Sequence, residues 1–342
     1  MRKMVILIIC LILILSYGCS SPLSPDRSPD VVYVDINNKS GKEDGSFSYP
    51  FTSIAKGVQN AKEGATIIVR PGTYREMEIV MKKGQKLQGS GAENTIIEMA
   101  GHDLIILNKG CELSGFFIRQ ERTWPPIGAA VSGENVENVR ILNNKILHQS
   151  GWPLFLENVS GIVSNNQING IGLGYCKEIL IENNLIEGTL LGSRTGEVLY
   201  GTGISIIGSS PTIRNNRILN LGIGIDISMA VGDVVSSPLI ENNIIENNKV
   251  YGIRIAPFPC EADFGGGKRG STGGNIIRNN GKCDFLNESP SEIYAQYNTW
   301  THSTEEEIDR YDIWDDDEGK GGKVIFVPFK DRINKEAKVR KF

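Results

Sequence analysis

The chain has 342 residues, and 36 Lys and Arg stand against 40 Asp and Glu, for a formal net charge of −4. That balance carries no basic stripe beyond the tail Lys330–Phe342, which reads as a solvated end, so nucleic acid is excluded as a partner class. The length permits a large core, and composition alone suggests two or three domains, a count that an internal repeat overrides.

Residues 1–18 begin with Arg2 and Lys3 and continue into the apolar run Met4–Leu15, too short to span a bilayer, so this stretch reads as an export signal. Gly18 before Cys19 resembles the bacterial lipoprotein signal, in which the Cys is acylated and becomes the new N-terminus. Ser16 and Tyr17 depart from that pattern, which favours Leu and a small residue. Residues 19–30 follow as a Ser/Pro tether. The expectation is an exported, lipid-anchored protein of the cell envelope. Ser20 after the Cys points to the outer membrane by the rule of that signal family.

The folded part is expected over 31–329, with caps at 31–64 and 301–329 and a basic tail at 330–342. Val31–Asp35 (VVYVD) opens it as a strand. Ile54, Val58 and Ala61 then share one face of a short helix, with Thr52 or Ser53 as its cap and Gly64 at its end. Ala65–Arg70 (ATIIVR) is a further strand.

From residue 139 a phrase recurs: VRILNNKI at Val139–Ile146, GIVSNNQI at Gly161–Ile168, ILIENNLI at Ile179–Ile186, TIRNNRI at Thr212–Ile218, LIENNII at Leu239–Ile245 and IIRNN at Ile276–Asn280. The second Asn of each (Asn144, Asn166, Asn184, Asn216, Asn243 and Asn280) is separated from the next by 22, 18, 32, 27 and 37 residues. A period near twenty with insertions marks a solenoid, and alternating β-branched residues make its unit strands. Asn tolerates the left-handed conformation that a sharp corner needs, and its amide both donates and accepts. The six Asn are therefore expected to stack as a ladder at one corner, in about ten coils from Ala65 to Trp300. Asn38, in the opening loop, is expected to carry no such load.

The run YVD…GS…YPFTSIAKGVQNAKEGATIIVRPGTY, LQGSGAENTIIE at Leu87–Glu98, EIYAQYNTW at Glu292–Trp300 and GKVIFVPF at Gly322–Phe329 together resemble right-handed parallel β-helix proteins of the pectate-lyase-like superfamily. The resemblance covers roughly Val31 to Phe329. It implies an all-β fold, a right-handed parallel β-helix solenoid capped by a short N-terminal helix and closed by a C-terminal helix and strand. It implies no particular activity. The Asp-Asp pair and Gly-His-Gly turn of polygalacturonases and the Asp-His motif of calcium-dependent pectate lyases are absent.

Of the six cysteines, Cys10 leaves with the signal. Cys111 and Cys176 occupy Val-like positions and read as buried small hydrophobes. Cys260 and Cys283 bracket the longest insertion, and a disulfide between them would staple it.

Strand alternation sets Phe155, Gly172, Ser205, Asp226 and Arg254 in one outward column. Asp226 and Arg254 then become neighbours that could grip a sugar or form a surface ion pair. Asp226 and Glu157 are the candidate carboxylates for chemistry. Three insertions flank this face: Gln120–Glu134 with Trp124, Thr189–Gly201 with Arg194, Glu197 and Tyr200, and Pro257–Gly273 with Glu261, Asp263, Lys268 and Arg269. His148 and Trp152 lie near one corner. Substrate contacts are expected from Asp226, Arg254, Tyr200 and Glu197, with Arg254 on a uronate. No cofactor is called for, calcium at Asp312–Glu318 being the one ion considered.

Two classes stay open. One is a carbohydrate-binding or scaffold β-helix engaging a polysaccharide or cell-envelope glycan. The other is a polysaccharide lyase or glycoside hydrolase acting on an acidic polymer. The chain is read as a monomer whose membrane contact is its lipid anchor.

Overall fold

The structure is a computed structural model that describes residues 31–99, 104–120, 128–149, 151–188, 191–192, 198–199, 201–232 and 234–330. The chain winds through three long sheets of 12, 10 and 9 strands. Successive visits to each sheet pair in parallel, as Trp152–Glu157 does with Ile171–Gly174. This is a right-handed parallel β-helix.

Its core is three stacks of inward side chains. Ile141, Val163, Ile181, Ile213 and Ile240 are in register in the 12-stranded sheet. Ile146, Ile168, Ile186, Ile218, Ile245 and Ile277 are in register in the nine-stranded sheet. Leu154, Ile171, Ile204, Ile225, Ile253 and Phe285 line the ten-stranded sheet. All are fully buried. At about 1.5–3 kcal/mol for each aliphatic side chain, these stacks are the main favourable term in folding.

The paired Asn residues divide the corner between them. The first of each pair, Asn143, Asn165, Asn183, Asn215 and Asn242, is exposed and left-handed, with φ between 55° and 57°. The second is buried and joins the coils. Asn144 N–H donates to Asn166 Oδ1 at 2.9 Å, and Asn166 N–H to Asn184 Oδ1 at 2.9 Å. The chain of bonds continues through Asn216, Asn243, Asn275 and Asn298. Each side-chain amide also donates to a carbonyl of an earlier strand, Asn184 Nδ2 to Val163 O at 2.9 Å for example.

Asn280 does not belong to this ladder; Asn275 takes the place expected of it. The phrase IIRNN ends a nine-stranded-sheet strand, Ile276–Arg278, rather than preceding one, so its Asn pair serves the next corner. There Asn248 N–H donates to Asn280 Oδ1 at 3.0 Å, and Leu221 N–H to Asn248 Oδ1 at 3.1 Å, in a second, shorter ladder.

Helix Ile54–Asn60 packs over the first coil. Ser53 caps it by accepting from Lys56 N–H, Glu76 accepts from Ile54 N–H at 2.6 Å, and Ala61 closes it ahead of Gly64. Gly57 lets it approach closely, because a Cβ there would lie 2.5 Å from Val34. At the other end Phe264, Phe285, Trp300 and Phe326 stack edge to face inside the cylinder, with centroids 5.0, 6.3 and 6.4 Å apart. Ile293–Ala295 pairs there with Val324–Ile325.

The expected Cys260–Cys283 disulfide is not formed; both thiols are free and buried. Cys260 pairs with Ser236 as the chain approaches the 12-stranded sheet, whereas Cys283 begins a strand of the ten-stranded sheet beside Tyr251. Burial pushes both thiols up to about 12. Cys111 and Cys176 are buried and free as well.

Candidate functional site

The outer face of the ten-stranded sheet carries the column read from alternation. Phe155, Gly172, Ser205, Asp226 and Arg254 are in register on five successive strands. Each side chain is fixed by the backbone ladder beneath it, so their spacing of ~4.8 Å per strand is rigid.

Arg254 is not poised for an incoming anion. Its Nη1 lies 3.7 Å from Asp226 Oδ1, and its Nη2 lies 3.1 Å from Glu288 Oε2. Nε donates to the same Glu288 oxygen at 3.1 Å. Asp226 Oδ2 accepts from Ser228 Oγ at 2.5 Å. Asp226 Oδ1 is buried with no hydrogen bond. A buried acceptor without a hydrogen bond is costly, and here the charged Arg254 Nη1 at 3.7 Å is its compensating neighbour.

Two carboxylates on one guanidinium leave the cluster with one negative charge in excess. A further carboxylate at ~4 Å meets repulsion of about 1–4 kcal/mol, depending on local dielectric. The expected uronate grip by Arg254 would thus have to form at a guanidinium already shared by two carboxylates.

Glu157 does not form a second catalytic carboxylate with Asp226. Its register neighbours run Gly174, Ile207 and Ser228, so Asp226 lies three strand steps away, roughly 14 Å at ~4.8 Å per strand. Glycosidase pairs stand ~5–9.5 Å apart.

The insertions contribute unequally. Glu197, Tyr200, Arg194 and Trp124 lie outside the described residues, as do Cys19 and the rest of 1–30. Ala129–Glu134, taken as part of an insertion, is a strand of the ten-stranded sheet, and Asp263–Gly265 is a strand of the 12-stranded one. Asp263 is buried and organises its own turn, accepting from the backbone N–H of Gly265, Gly267 and Ser271 at 3.0–3.2 Å. Within Pro257–Gly273, Phe258, Pro259 and Cys260 do form a wall. With Met229, Ala230, Gly232 and Val234–Ser236 they bound a cleft of about 290 Å³, joined to the ion cluster through Ser228.

Asp315, Asp316 and Asp317 bring oxygens within 4.8 Å of one another. Asp315, however, accepts from Val324 N–H at 2.7 Å and from Asp317 N–H, which makes it a turn organiser. His148 is buried, and its Nδ1 accepts from Gly151 N–H at 2.6 Å, a structural role. Sequence reasoning missed Glu288, because it lies just past its strand and outside the alternating column. It also missed that Trp152 reaches this face, where its ring lies 6.3 Å from that of Phe155.

A rigid parallel β-helix with a charged, small-residue and aromatic outer face is the class that fold and geometry define. Within it, the chain belongs to the family described as "Protein of unknown function (DUF1565)", whose model matches residues 37–306. It is 26% identical over 243 residues to the uncharacterized protein YwoF of Bacillus subtilis, covering 70% of this chain and 46% of that protein. The chain thus spans about half the length of the curated relative it matches.

Among solved structures it is similar to pectin methylesterase PemA from Erwinia chrysanthemi, with 11% identity, 80% and 81% of the two chains covered, and TM-score 0.41. It is also similar to the Dettilon tailspike protein gp208, with 12% identity, 87% and 68% covered, and TM-score 0.46. The A-module of mannuronan C-5 epimerase AlgE4 from Azotobacter vinelandii shows 13% identity, 87% and 97% covered, and TM-score 0.39. These likenesses concern the fold.

Proposed function

We propose that this protein is an exported β-helix that binds carbohydrate on the outer face of its ten-stranded sheet. The observation that carries the reading is the partly exposed Asp226–Arg254–Glu288 cluster, held on adjoining coils and joined through Ser228 to the neighbouring cleft. Sugar hydroxyls suit such a site, since each donates to a carboxylate and accepts from a guanidinium. The reading of residues 1–30 adds export and an anchor at Cys19, which would hold this face at the cell envelope.

The test is a glycan array carrying neutral, amino and acidic polymers, probed with the mature chain and with Asp226→Asn and Arg254→Ala. Binding is expected to fall by about 1–3 kcal/mol in either variant, the range for a hydrogen bond to a charged group. Incubation with the bound polymer, followed by assay for new reducing or unsaturated ends, separates a binder from an enzyme. In an enzyme Asp226→Asn lowers turnover more than affinity. Absence of binding to every glycan would sink the carbohydrate reading.

A further inference from the structure

The same face holds a second feature, three coils from Arg254. Gly172 lies in register with Phe155. A Cβ on Gly172 would meet Phe155 Cδ2 at 2.7 Å and Trp152 Cδ2 at 3.2 Å, so both rings lie down over the bare backbone of Gly172. Trp152 and Phe155 are each only partly buried, and their planes differ by 39°. Aromatic rings with one face on the protein and the rest in solvent are unusual partners for water, and they match the C–H faces of pyranose rings. Between this platform and Arg254 the column holds Ser205, which is small and buried, and then Asp226.

We infer that Trp152 and Phe155 form a sugar-stacking subsite, and that the ligand is an uncharged, extended pyranose chain lying along the helix axis from Gly172 to Arg254. The inference rests on the carbohydrate reading and specifies its substrate class. Length follows from the register. Gly172, Ser205, Asp226 and Arg254 occupy four successive strands. One coil advances ~4.8 Å, close to the length of one pyranose in an extended β-1,4 chain. A ligand that stacks at one end and meets the ion cluster at the other therefore has about four residues. Charge excludes polyanions. The strands of this sheet present Glu134, Glu157 and Asp226 outward against Arg254 alone, with Glu288 adding a further carboxylate.

The experiment is isothermal titration of the mature chain with β-1,4-linked glucose and N-acetylglucosamine oligomers of two to six residues, and with oligogalacturonate of matched lengths. The expected result is a step in affinity between three and four residues for a neutral series, with weaker binding of the acidic one. Phe155→Leu keeps apolar volume but loses the flat ring, and Trp152→Leu does the same. Each is expected to lower affinity roughly three- to tenfold for the longer oligomers, as for loss of one aromatic contact, and to erase the step. Thermal melts confirm folding, and Gly172→Ala, which displaces the rings without removing them, gives an independent variant with the same expected loss.

Neutral oligomers that bind with no step at four residues, or a preference for oligogalacturonate, overturn this inference while leaving the carbohydrate reading in place. Failure of all three series overturns it too, and the array result then decides the broader reading.

Discussion

Replacing Asn184 by Ala tests the corner ladder most directly. The Asn184 side chain accepts from Asn166 N–H at 2.9 Å and from Asn166 Nδ2 at 3.1 Å. Its own amide donates to Val163 O at 2.9 Å, Glu182 O at 3.0 Å and Asn216 Oδ1 at 2.9 Å. Truncation leaves the buried Asn166 N–H without its acceptor and strips the Val163 carbonyl of its side-chain donor. Each such group costs about 1–3 kcal/mol, so a total near 2–4 kcal/mol is expected after partial relaxation. The neighbour Asn183 is exposed at φ 56° and should lose only about 1–2 kcal/mol as Ala, through left-handed strain, and almost nothing as Gly. Asn275→Ala should match Asn184→Ala, since Asn275 makes the same bonds to Asn243 and Asn298. Asn38 is no inert control, because its amide donates to Lys42 O and Pro50 O; exposed Asn37 is the better choice. Urea midpoints at constant slope give the comparison. Equal shifts for Asn183→Ala and Asn184→Ala would refute the division of labour between the two Asn of each pair.

Stability should also depend on pH through Asp284 and Asp315, both raised to about 6, chiefly by burial. Their folded forms hold protons that the unfolded chain releases near 3.8, so this contribution is complete below about pH 4 and is lost as pH rises through about 6. Asp284→Asn should remove about 1–3 kcal/mol of that fall, and an unchanged pH slope between 4 and 7 would refute it. Glu246 runs the other way. Arg217 and Arg278 hold it below the usual carboxylate range despite its burial, so its contribution is lost on acidification below about pH 4.5. In Glu246→Gln the loss of stability on acidification should be smaller, as read from urea midpoints at pH 3 and 6. Finally, Cys260 and Cys283 should resist alkylation at pH 8 in the native state and react together in urea. A reductant-sensitive melting temperature would show instead that a disulfide is present.

The solenoid was legible because its physics repeats. From Asn144 to Asn243 each coil has a left-handed corner and a buried amide, so the same two letters return in the same apolar frame, and alternation then fixes which residues face out. One coil earlier Gly115 and the buried Phe116 take those places. The column from Phe155 to Arg254 was read correctly for that reason. The frame failed at Asn280, because at the preceding corner residues 266–272 separate the strand Asp263–Gly265 from the turn, Gly274 with φ 76° takes the left-handed place, and Asn275 is the one Asn left. With a single letter left, the following pair looked like the continuation of the repeat. Cys260 and Cys283 misled for a related reason. Proximity in sequence across an insertion says little once intervening residues, Asp263–Gly265 among them, prove to be a strand of the wall.

The candidate site was half legible, and the missing half decides its chemistry. Asp226 beside Arg254 follows from alternation, and on that pair alone a uronate is a reasonable guest. Glu288 changes the answer, yet no periodic rule places it, because it lies just beyond the strand that ends at Asn287. Its carboxylate takes two of the donors of Arg254 and turns a neutral pair into an anionic cluster. The same holds for the rings of Trp152 and Phe155, whose sequence spacing puts them on opposite sides of a flat strand. They meet over Gly172 only because that residue has no side chain to keep them apart. In a solenoid the repeat supplies a rigid wall, and specificity comes from what departs from the repeat: one glycine in a column, one carboxylate past a strand end. On the carbohydrate reading proposed above, Gly172→Ala and Glu288→Gln are therefore expected to bear on ligand choice more than on fold. Glu288→Gln should raise the affinity of the face for acidic oligosaccharides relative to neutral ones. Charge neutralisation without that shift would mean that the cluster does not set ligand charge.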